Sequence, residues 1–182
     1  DAAGGGSWGL LGSSTNTSSV GPVNFNGLLT TTYRNYVLVI GQASTTTDDV
    51  DMLLRLLDSS NNALTGVQYT GAWNLEDGGN GTQYSGSYIG NTAFTISDGT
   101  HNSNNTPTHA VLNIYNNTQT NTADRVQFHG TTMSYSSARH DPMGGYVFGG
   151  YSLGVAVHGL RVDVTSGYLS DVDIQLYGIV RS

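Results

Sequence analysis

The stretch NYVLVIGQASTTTDDVDMLLRLLDSSNNA, residues 35–63, decides the fold class. Residues 36–40 are all apolar, which is typical of a strand that is buried on both faces. Residues 50–57 carry an apolar side chain at every second position, as a strand with half-exposed ends does. Residues 42–49 are polar without helical periodicity, and the sequence DSSNN at 58–62 is typical of a turn. The stretch therefore predicts two strands joined by a polar loop and followed by a reversal of the chain.

The composition favours an all-β fold. The chain has 182 residues, which is enough for one domain with a sizeable core. Only 10% of the residues are charged, against about 25% in an average soluble domain. Glu and Lys, which normally cover helix surfaces, are scarce or absent, whereas there are 25 Gly and 11 Tyr. We therefore expect strands that are joined by long loops rich in Ser, Thr, Asn and Gly.

The charges, the short apolar stretches and the absence of Cys argue against several kinds of partner and site. The net charge is -7, the 6 basic residues are all Arg, and there is no Lys. Nucleic-acid binding needs clusters of basic side chains, which this sequence does not have. No apolar stretch approaches the roughly 20 residues that span a bilayer, so we expect no membrane insertion. The absence of Cys removes disulfides and thiolate metal sites.

The order of apolar runs and turn signals predicts the domain organisation. Residues 1–7 are rich in Gly and Ala and predict a flexible lead-in or arm, so that residues 8–182 form a single domain. We expect about eight to ten strands and no helix. Pro22 marks its strand as an edge of a sheet, and the Gly-rich segment 138–154 predicts a long loop. Connections longer than hairpins need favour a single β-sandwich of jelly-roll type with Greek-key crossings.

Three parts of the sequence carry a resemblance to a known family. They are GGGSW at 4–8 with the leucines after it, the pair 35–40 and 47–55, and the pair 159–162 and 176–179. In this order and spacing they resemble a β-domain of tailed-bacteriophage virion proteins, found in tail fibres, head fibres and small capsid-decorating proteins. The sequence departs from the family at Asp49, where the family usually has Gly, and we expect a differently built turn there.

The resemblance implies a structural or adhesive role on the surface of a virion assembled in the host cytoplasm, without enzyme activity or cofactor. It also implies self-association, commonly as a homotrimer. Two functions of this kind stay open. A capsid-decorating (cement) protein would clamp the major capsid protein through an N-terminal arm with Gly4, Gly5, Gly6 and Trp8. A fibre component would instead bind glycan on the host surface. A secreted carbohydrate-binding module is a third hypothesis from another class.

Acidic and histidine residues are the candidates for a metal site or an active site. Asp48, Asp49 and Asp51 are the densest acidic group, but Ca²⁺ needs six or more oxygen ligands and the EF-hand spacing is absent, which favours a solvent-exposed turn. The 5 His residues do not occur at metal-ligand spacings. His140 and Asp141 follow several serines, but no G-x-S-x-G sequence is present. We therefore expect neither a catalytic residue nor a bound metal.

Aromatic residues in or beside Gly-rich segments are the stronger functional candidates. Tyr, Asn and Gly are enriched on surfaces that bind sugars or proteins. Many such residues in a β-sandwich instead pack in the core or at an edge. We predict a glycan or subunit contact that includes Trp73, Tyr84, Tyr88, Tyr135, Tyr146, Phe148 and Tyr151.

Overall fold

The part of the chain that the structure describes consists of β-strands joined by turns and loops. The computed structural model describes residues 8–66, 68–79, 81–100, 102, 106–115, 126–136, 141–152 and 155–180. Its strands are β1 (Trp8–Asn16), β2 (Val23–Phe25), β3 (Tyr33–Thr45), β4 (Val50–Leu57), β5 (Tyr69–Asp77), β6 (Gln83–Asn91), β7 (Phe94–Thr100), β8 (Thr108–Tyr115), β9 (Val126–Ser136), β10 (Asp141–Tyr151), β11 (Gly159–Val164) and β12 (Leu169–Val180). Within these residues there is no helix, and hence none that could cross a membrane.

The strands form two antiparallel sheets that pack face to face. The eight-stranded sheet has the order β1-β12-β3-β8-β9-β10-β5-β6, and the four-stranded sheet has the order β2-β11-β4-β7. The residue pair Thr100–Ser136 connects β7 to β9 where the two sheets meet. The predicted all-β sandwich is confirmed.

Eight of the described strands have the connectivity of a jelly roll. Counted along the chain, the strands of a jelly roll pair as first-eighth-third-sixth in one sheet and second-seventh-fourth-fifth in the other. The sets β1-β12-β3-β8 and β2-β11-β4-β7 follow this order. The remaining strands are two antiparallel pairs, β5–β6 inserted after β4 and β9–β10 inserted after β8. Both pairs extend the same sheet, and they account for the excess over the strand number expected from the sequence.

The core lies between the two sheets and contains the alternating apolar residues of the 35–63 stretch. Leu38 of β3 and Leu54 of β4 are fully buried there. Phe94 of β7 contacts Phe128 of β9 across the sheets, with 4.8 Å between ring centroids. Tyr69 is also buried, and its hydroxyl accepts a hydrogen bond from the Leu56 backbone N–H at 2.8 Å. That bond satisfies a donor of β4 beyond the last residue that pairs with β7.

Turns lie on both sides of β4, at the positions where the sequence predicts them. Asp58 accepts hydrogen bonds from the backbone N–H groups of Ser60 and Asn62 at 2.8 and 2.9 Å, as expected for the DSSNN turn. Asp49 has a φ of 56°, in the left-handed region where Gly is most common and Asp is tolerated. The turn therefore keeps a conformation that suits Gly, although this chain has Asp at the position.

The Gly-rich segment predicted as a loop is instead strand β10, and this prediction was wrong. Residues 141–151 pair with β9 on one side, and residues 143–151 pair with β5 on the other. Glycine is present because the neighbouring backbone is close: a Cβ built on Gly145 would lie 1.9 Å from the Asn74 carbonyl oxygen. The aromatic residues of this segment consequently have fixed positions inside a sheet.

Candidate binding face

Residues of β9 alternate strictly between the core and solvent. Val126, Phe128 and Thr132 are buried, whereas Gln127, His129 and the other odd-numbered residues as far as 133 are exposed. Cross-strand pairs place residues of neighbouring strands on the same side of the sheet. We call the side of the eight-stranded sheet that points away from the four-stranded sheet the outer face.

The outer face carries most of the exposed apolar side chains. Among the described residues, eight large apolar side chains are exposed, and the register puts all of them except Tyr168 on this face. The residues on the face are Trp8, Leu10, Ile89, Val111, Met133, Tyr146 and Phe148. Single exposed apolar residues are ordinary, but their concentration on one side is typical of an interaction surface.

Tyr146 and Phe148 form an exposed aromatic pair in the middle of β10. They are 61% and 51% exposed. They are two residues apart on one strand and so lie about 7 Å from each other. Tyr146 is flanked by Thr131 and Asn74, and Phe148 has His129 beside it on β9. The aromatic pair therefore offers two rings among polar side chains that can form hydrogen bonds.

A shallow hollow of about 370 Å³ lies beside the aromatic pair, since its lining includes Thr131, which pairs with Tyr146. Val39, Val111 and Met133 supply its apolar lining. His109 is also part of the lining, and its Nδ1 forms a hydrogen bond with the carbonyl oxygen of Gly41. This bond links β8 to β3 where the register of the two strands shifts between Ile40 and Ala43. The hollow is thus apolar at its sides and has an imidazole at one end.

At the β1 side of the outer face, aromatic rings pack together and polar side chains form hydrogen bonds. The Trp8 ring lies 5.9 Å from the Tyr177 ring, measured between centroids. The Tyr177 hydroxyl donates to Gln175, whose amide donates to Asp173 at 3.2 Å. Val37 is fully buried although it belongs to this face. Ring packing and hydrogen bonds therefore connect the side chains at this end of the face.

The outer face carries little charge among the described residues. Glu76 and Asp173 are its carboxylates, and they lie far apart, on β5 and β12. The arginines whose side chains the structure describes, Arg55 and Arg161, belong to the four-stranded sheet. The centre of the face, around Thr131 and Tyr146, therefore suits a neutral ligand or an apolar protein surface.

Three of the predicted aromatic residues lie on the opposite side of the same sheet. Trp73 covers Gly86, and Tyr88 covers Gly71, each across the β5–β6 pair. The Tyr88 hydroxyl accepts a hydrogen bond from the Thr95 backbone N–H at 2.8 Å. Burial raises the pKa of Tyr88 above its usual value, although that hydrogen bond lowers it in part. Trp73, Tyr84 and Tyr88 are half-buried, and they do not join Tyr146 and Phe148.

The remaining predicted residues are divided between the core and the outer face. Tyr151 is only 2% exposed and packs on Tyr69 at 4.7 Å between ring centroids, so it lies in the core rather than on the outer face. Tyr135 is half-buried at the end of β9, on the outer face. Trp8 is part of β1 rather than of an arm. Gly4, Gly5 and Gly6 lie outside the described residues.

The acidic corner between β3 and β4 is occupied by internal hydrogen bonds. Asp48 accepts from the Asn102 backbone N–H and Asp51 from the Gly99 N–H, both at 3.2 Å. Burial raises the pKa of Asp51, the Gly99 hydrogen bond lowers it, and the charges of Asp98 and Asp49 raise it again. The described residues contain no group of three or more His, Asp or Glu side chains arranged to hold a metal ion.

Three members of the outer face were not predicted from the sequence: Ile89, Val111 and Met133. The alternation in HAVLNIY and in VQFHGTTMSYS indicates two-sided strands, but it does not tell which side meets solvent. Met133 is apolar at a position where its neighbours on the same face are polar, and that contrast was the available signal.

No protein-family model matches the sequence, and no curated protein sequence matches it significantly.

Proposed function

We propose that this protein is a non-enzymatic surface component of a tailed-bacteriophage virion, either a capsid-decorating protein or part of a fibre, and that it attaches through its outer face. The observation that carries the proposal is the concentration of exposed apolar side chains on one side of the eight-stranded sheet. The resemblance of its N-terminal, central and C-terminal segments to a phage virion domain supports the choice of particle.

The size of the outer face suits a stable protein contact. Strands lie about 4.8 Å apart, so eight strands make a surface about 38 Å wide. A length of about six or seven residues per strand corresponds to roughly 20 Å, and every second residue in it points outward. The product is close to the ~800 Å² that each partner buries in a standard protein interface. Attachment by this face would cover the aromatic pair and the hollow together.

Immunogold electron microscopy on virions of the phage that encodes the chain tests the location. Label on the capsid shell supports the decorating protein, and label on a fibre supports the fibre component. Virions that carry no label would contradict the proposal.

A substitution in the aromatic pair tests the mode of attachment. We expect Tyr146→Thr with Phe148→Thr to weaken binding to virions that lack the protein by at least tenfold, because both rings lose their contacts. Tyr168→Thr is the matched control, since Tyr168 is equally exposed but lies off the outer face. Equal binding by the double variant and the control would show that the outer face is not the attachment surface.

Binding of host glycan is the second candidate function, and the aromatic pair favours it. Aromatic rings pack against the apolar faces of sugar rings, and Thr131, Asn74 and His129 supply hydrogen-bonding groups beside them. We expect binding on an array of neutral and acidic glycans that is lost in the Tyr146→Thr/Phe148→Thr variant and kept in Tyr168→Thr. An array without any bound glycan, together with tight binding to virions, would eliminate this candidate.

Tight binding of a soluble oligosaccharide by a protein that no virion carries would instead point to a secreted carbohydrate-binding module.

A further inference from the structure

Over residues 83–89, strand β6 forms an edge of the described eight-stranded sheet without the usual protection, because the register shift of the β5–β6 pair lies beyond them, at Gly90. Among the described residues, β6 pairs only with β5. Residues 83–89 pair in unbroken register with residues 70–76. The sequence QYSGSYI at 83–89 contains neither Pro nor a charged residue. Edge strands of monomeric proteins usually carry Pro, a charge or a bulge, because free N–H and C=O groups otherwise accept another strand.

In the part of the chain that the structure describes, each of the other three edge strands has a protective feature within it or directly before it. Strand β1 has a register shift between Leu10 and Gly12. Strand β2 has only 3 residues and follows Pro22. Strand β7 donates the Thr95 N–H to the Tyr88 hydroxyl and carries the charged Asp98. The contrast singles out β6 as the edge built to accept a further strand.

The aromatic residues beside this edge are only half covered. Trp73 lies over Gly86, the central residue of the 83–89 segment, so closely that a Cβ at Gly86 would be 2.2 Å from the ring. Tyr84 and Tyr88 flank Gly86 on the same side of the sheet, and all three aromatic residues are half-buried. A strand added to β6 would cover their remaining exposed surface.

We propose that β6 pairs antiparallel with β6 of a second copy of this chain, around a twofold axis at Gly86. In this register Tyr84 lies opposite Tyr88 of the second copy, Ser85 opposite Ser87, and Gln83 opposite Ile89. Cross-strand aromatic pairs stabilise antiparallel strands, and no like charges meet. The segment is thus complementary to itself, as a twofold interface requires. Glycine at the axis leaves room for Trp73 from both copies.

The mass of the full chain in solution tests the pairing. We expect light scattering during size-exclusion chromatography to give twice the mass of the chain at about 100 µM and a shift toward the single chain on dilution. The resemblance to phage proteins implies a trimer, so a mass of three chains, or of one chain at every concentration, would overturn the twofold pairing.

Charge substitutions test the register. Ser85→Lys with Ser87→Lys places lysine opposite lysine at two positions. We expect the dissociation constant of the dimer to rise at least tenfold. Ser85→Glu with Ser87→Lys places Glu opposite Lys at the same positions and should restore the dimer. Asn74→Lys, on the neighbouring strand and the same face, is the control and should leave the mass unchanged. A dimer that persists in the double-lysine variant, or one that the Glu/Lys variant fails to restore, would contradict this register.

These outcomes are separate from those for virion attachment. The lysine substitutions are on the edge strand, whereas the attachment test changes Tyr146 and Phe148. A dimer that binds no virion would leave the β6 pairing standing and remove the proposed function. Attachment by a chain that remains a monomer at every concentration would do the reverse.

Discussion

At the scale of single residues, Asp163 offsets the charges of two arginines on the four-stranded sheet. Arg55 and Arg161 lie directly opposite each other on β4 and β11, and Asp163 forms an ion pair with Arg55. Burial raises the pKa of Asp163, and the charges of Arg55 and Arg161 oppose that rise. Because like charges directly across a strand pair repel each other, the carboxylate is what makes this arrangement tolerable.

Asp163→Ala should therefore destabilise the protein by about 2 kcal/mol. The substitution leaves Arg55 largely buried without its partner, and the cost stays below that of a fully buried pair because both side chains keep some contact with water. Urea denaturation measures the change in the free energy of unfolding. The double variant Arg55→Met/Asp163→Leu should recover most of the loss, since it removes both charges. If the single and double variants lose equal stability, packing rather than charge is responsible.

Asp51 should make stability depend on pH in the direction opposite to most carboxylates. Its raised pKa means that the folded state favours the protonated form. Protonated Asp51 therefore contributes to the free energy of unfolding. This contribution is fully present below the ordinary carboxyl pKa of 3.8 and is lost as the pH rises through the raised pKa. We expect Asp51→Asn to raise stability at pH 7 by about 0.5 kcal/mol after allowance for solvent screening, and the gain to vanish near pH 3. Thermal unfolding across this pH range checks it.

Asp58 supplies the control of opposite sign. Hydrogen bonds from Asn62 and Ser60 lower the pKa of Asp58, so its contribution is present above 3.8 and is lost as the pH falls through the lowered value. Asp58→Asn should reduce stability at pH 7 rather than raise it. Parallel changes in the two variants would show that the Asp51 effect is not electrostatic.

At the scale of elements, the sequence was sufficient wherever apolar alternation was uninterrupted. Strand β4 begins and ends where its pattern does, at Val50 and Leu57. Strand β10 was not recognised, because glycines at four positions are normally unfavourable in a strand. Gly145, Gly149 and Gly150 are needed here for close approach of the neighbouring backbone, which is a property of the assembled sheet and not of the local sequence.

Two adjacent glycines of β10 should respond differently to the same substitution. A Cβ on Gly145 would meet the Asn74 carbonyl oxygen at 1.9 Å, whereas the nearest atom to a Cβ on Gly144 is 3.6 Å away. We expect Gly145→Ala to cost about 2–3 kcal/mol because β5 must move, and Gly144→Ala to stay within about 0.5 kcal/mol. Chemical denaturation of both variants tests the difference. Equal costs would mean that residues 141–151 are not packed as a central strand.

At the scale of the whole molecule, the candidate surface arises from the way the inserted strand pairs extend the jelly roll. Strands β9 and β10 add Met133, Tyr146 and Phe148 to the side of the sheet that already carries Val111. The composition of the sequence predicted Tyr146 and Phe148 as contact residues. It could not predict their grouping with Met133 and Val111, because alternation fixes only that residues lie on one side and not that this side is free of the second sheet.

The two sheets should unfold together, because one core joins them. Phe94 and Phe128 come from different sheets and are in contact in the core. Phe94→Ala should cost about 4 kcal/mol and lower the urea midpoint without splitting the transition. Ile89→Ala is the control, since Ile89 is 90% exposed, and it should change stability by less than about 0.5 kcal/mol. Trp8 and Trp73 lie toward opposite edges of the eight-stranded sheet, so tryptophan fluorescence reports on both edges. If the sheets unfold together, this fluorescence and the far-UV circular dichroism should follow one curve. If tryptophan fluorescence changes at a lower urea concentration than circular dichroism, the β5–β6 pair or β1 unfolds separately from the jelly roll.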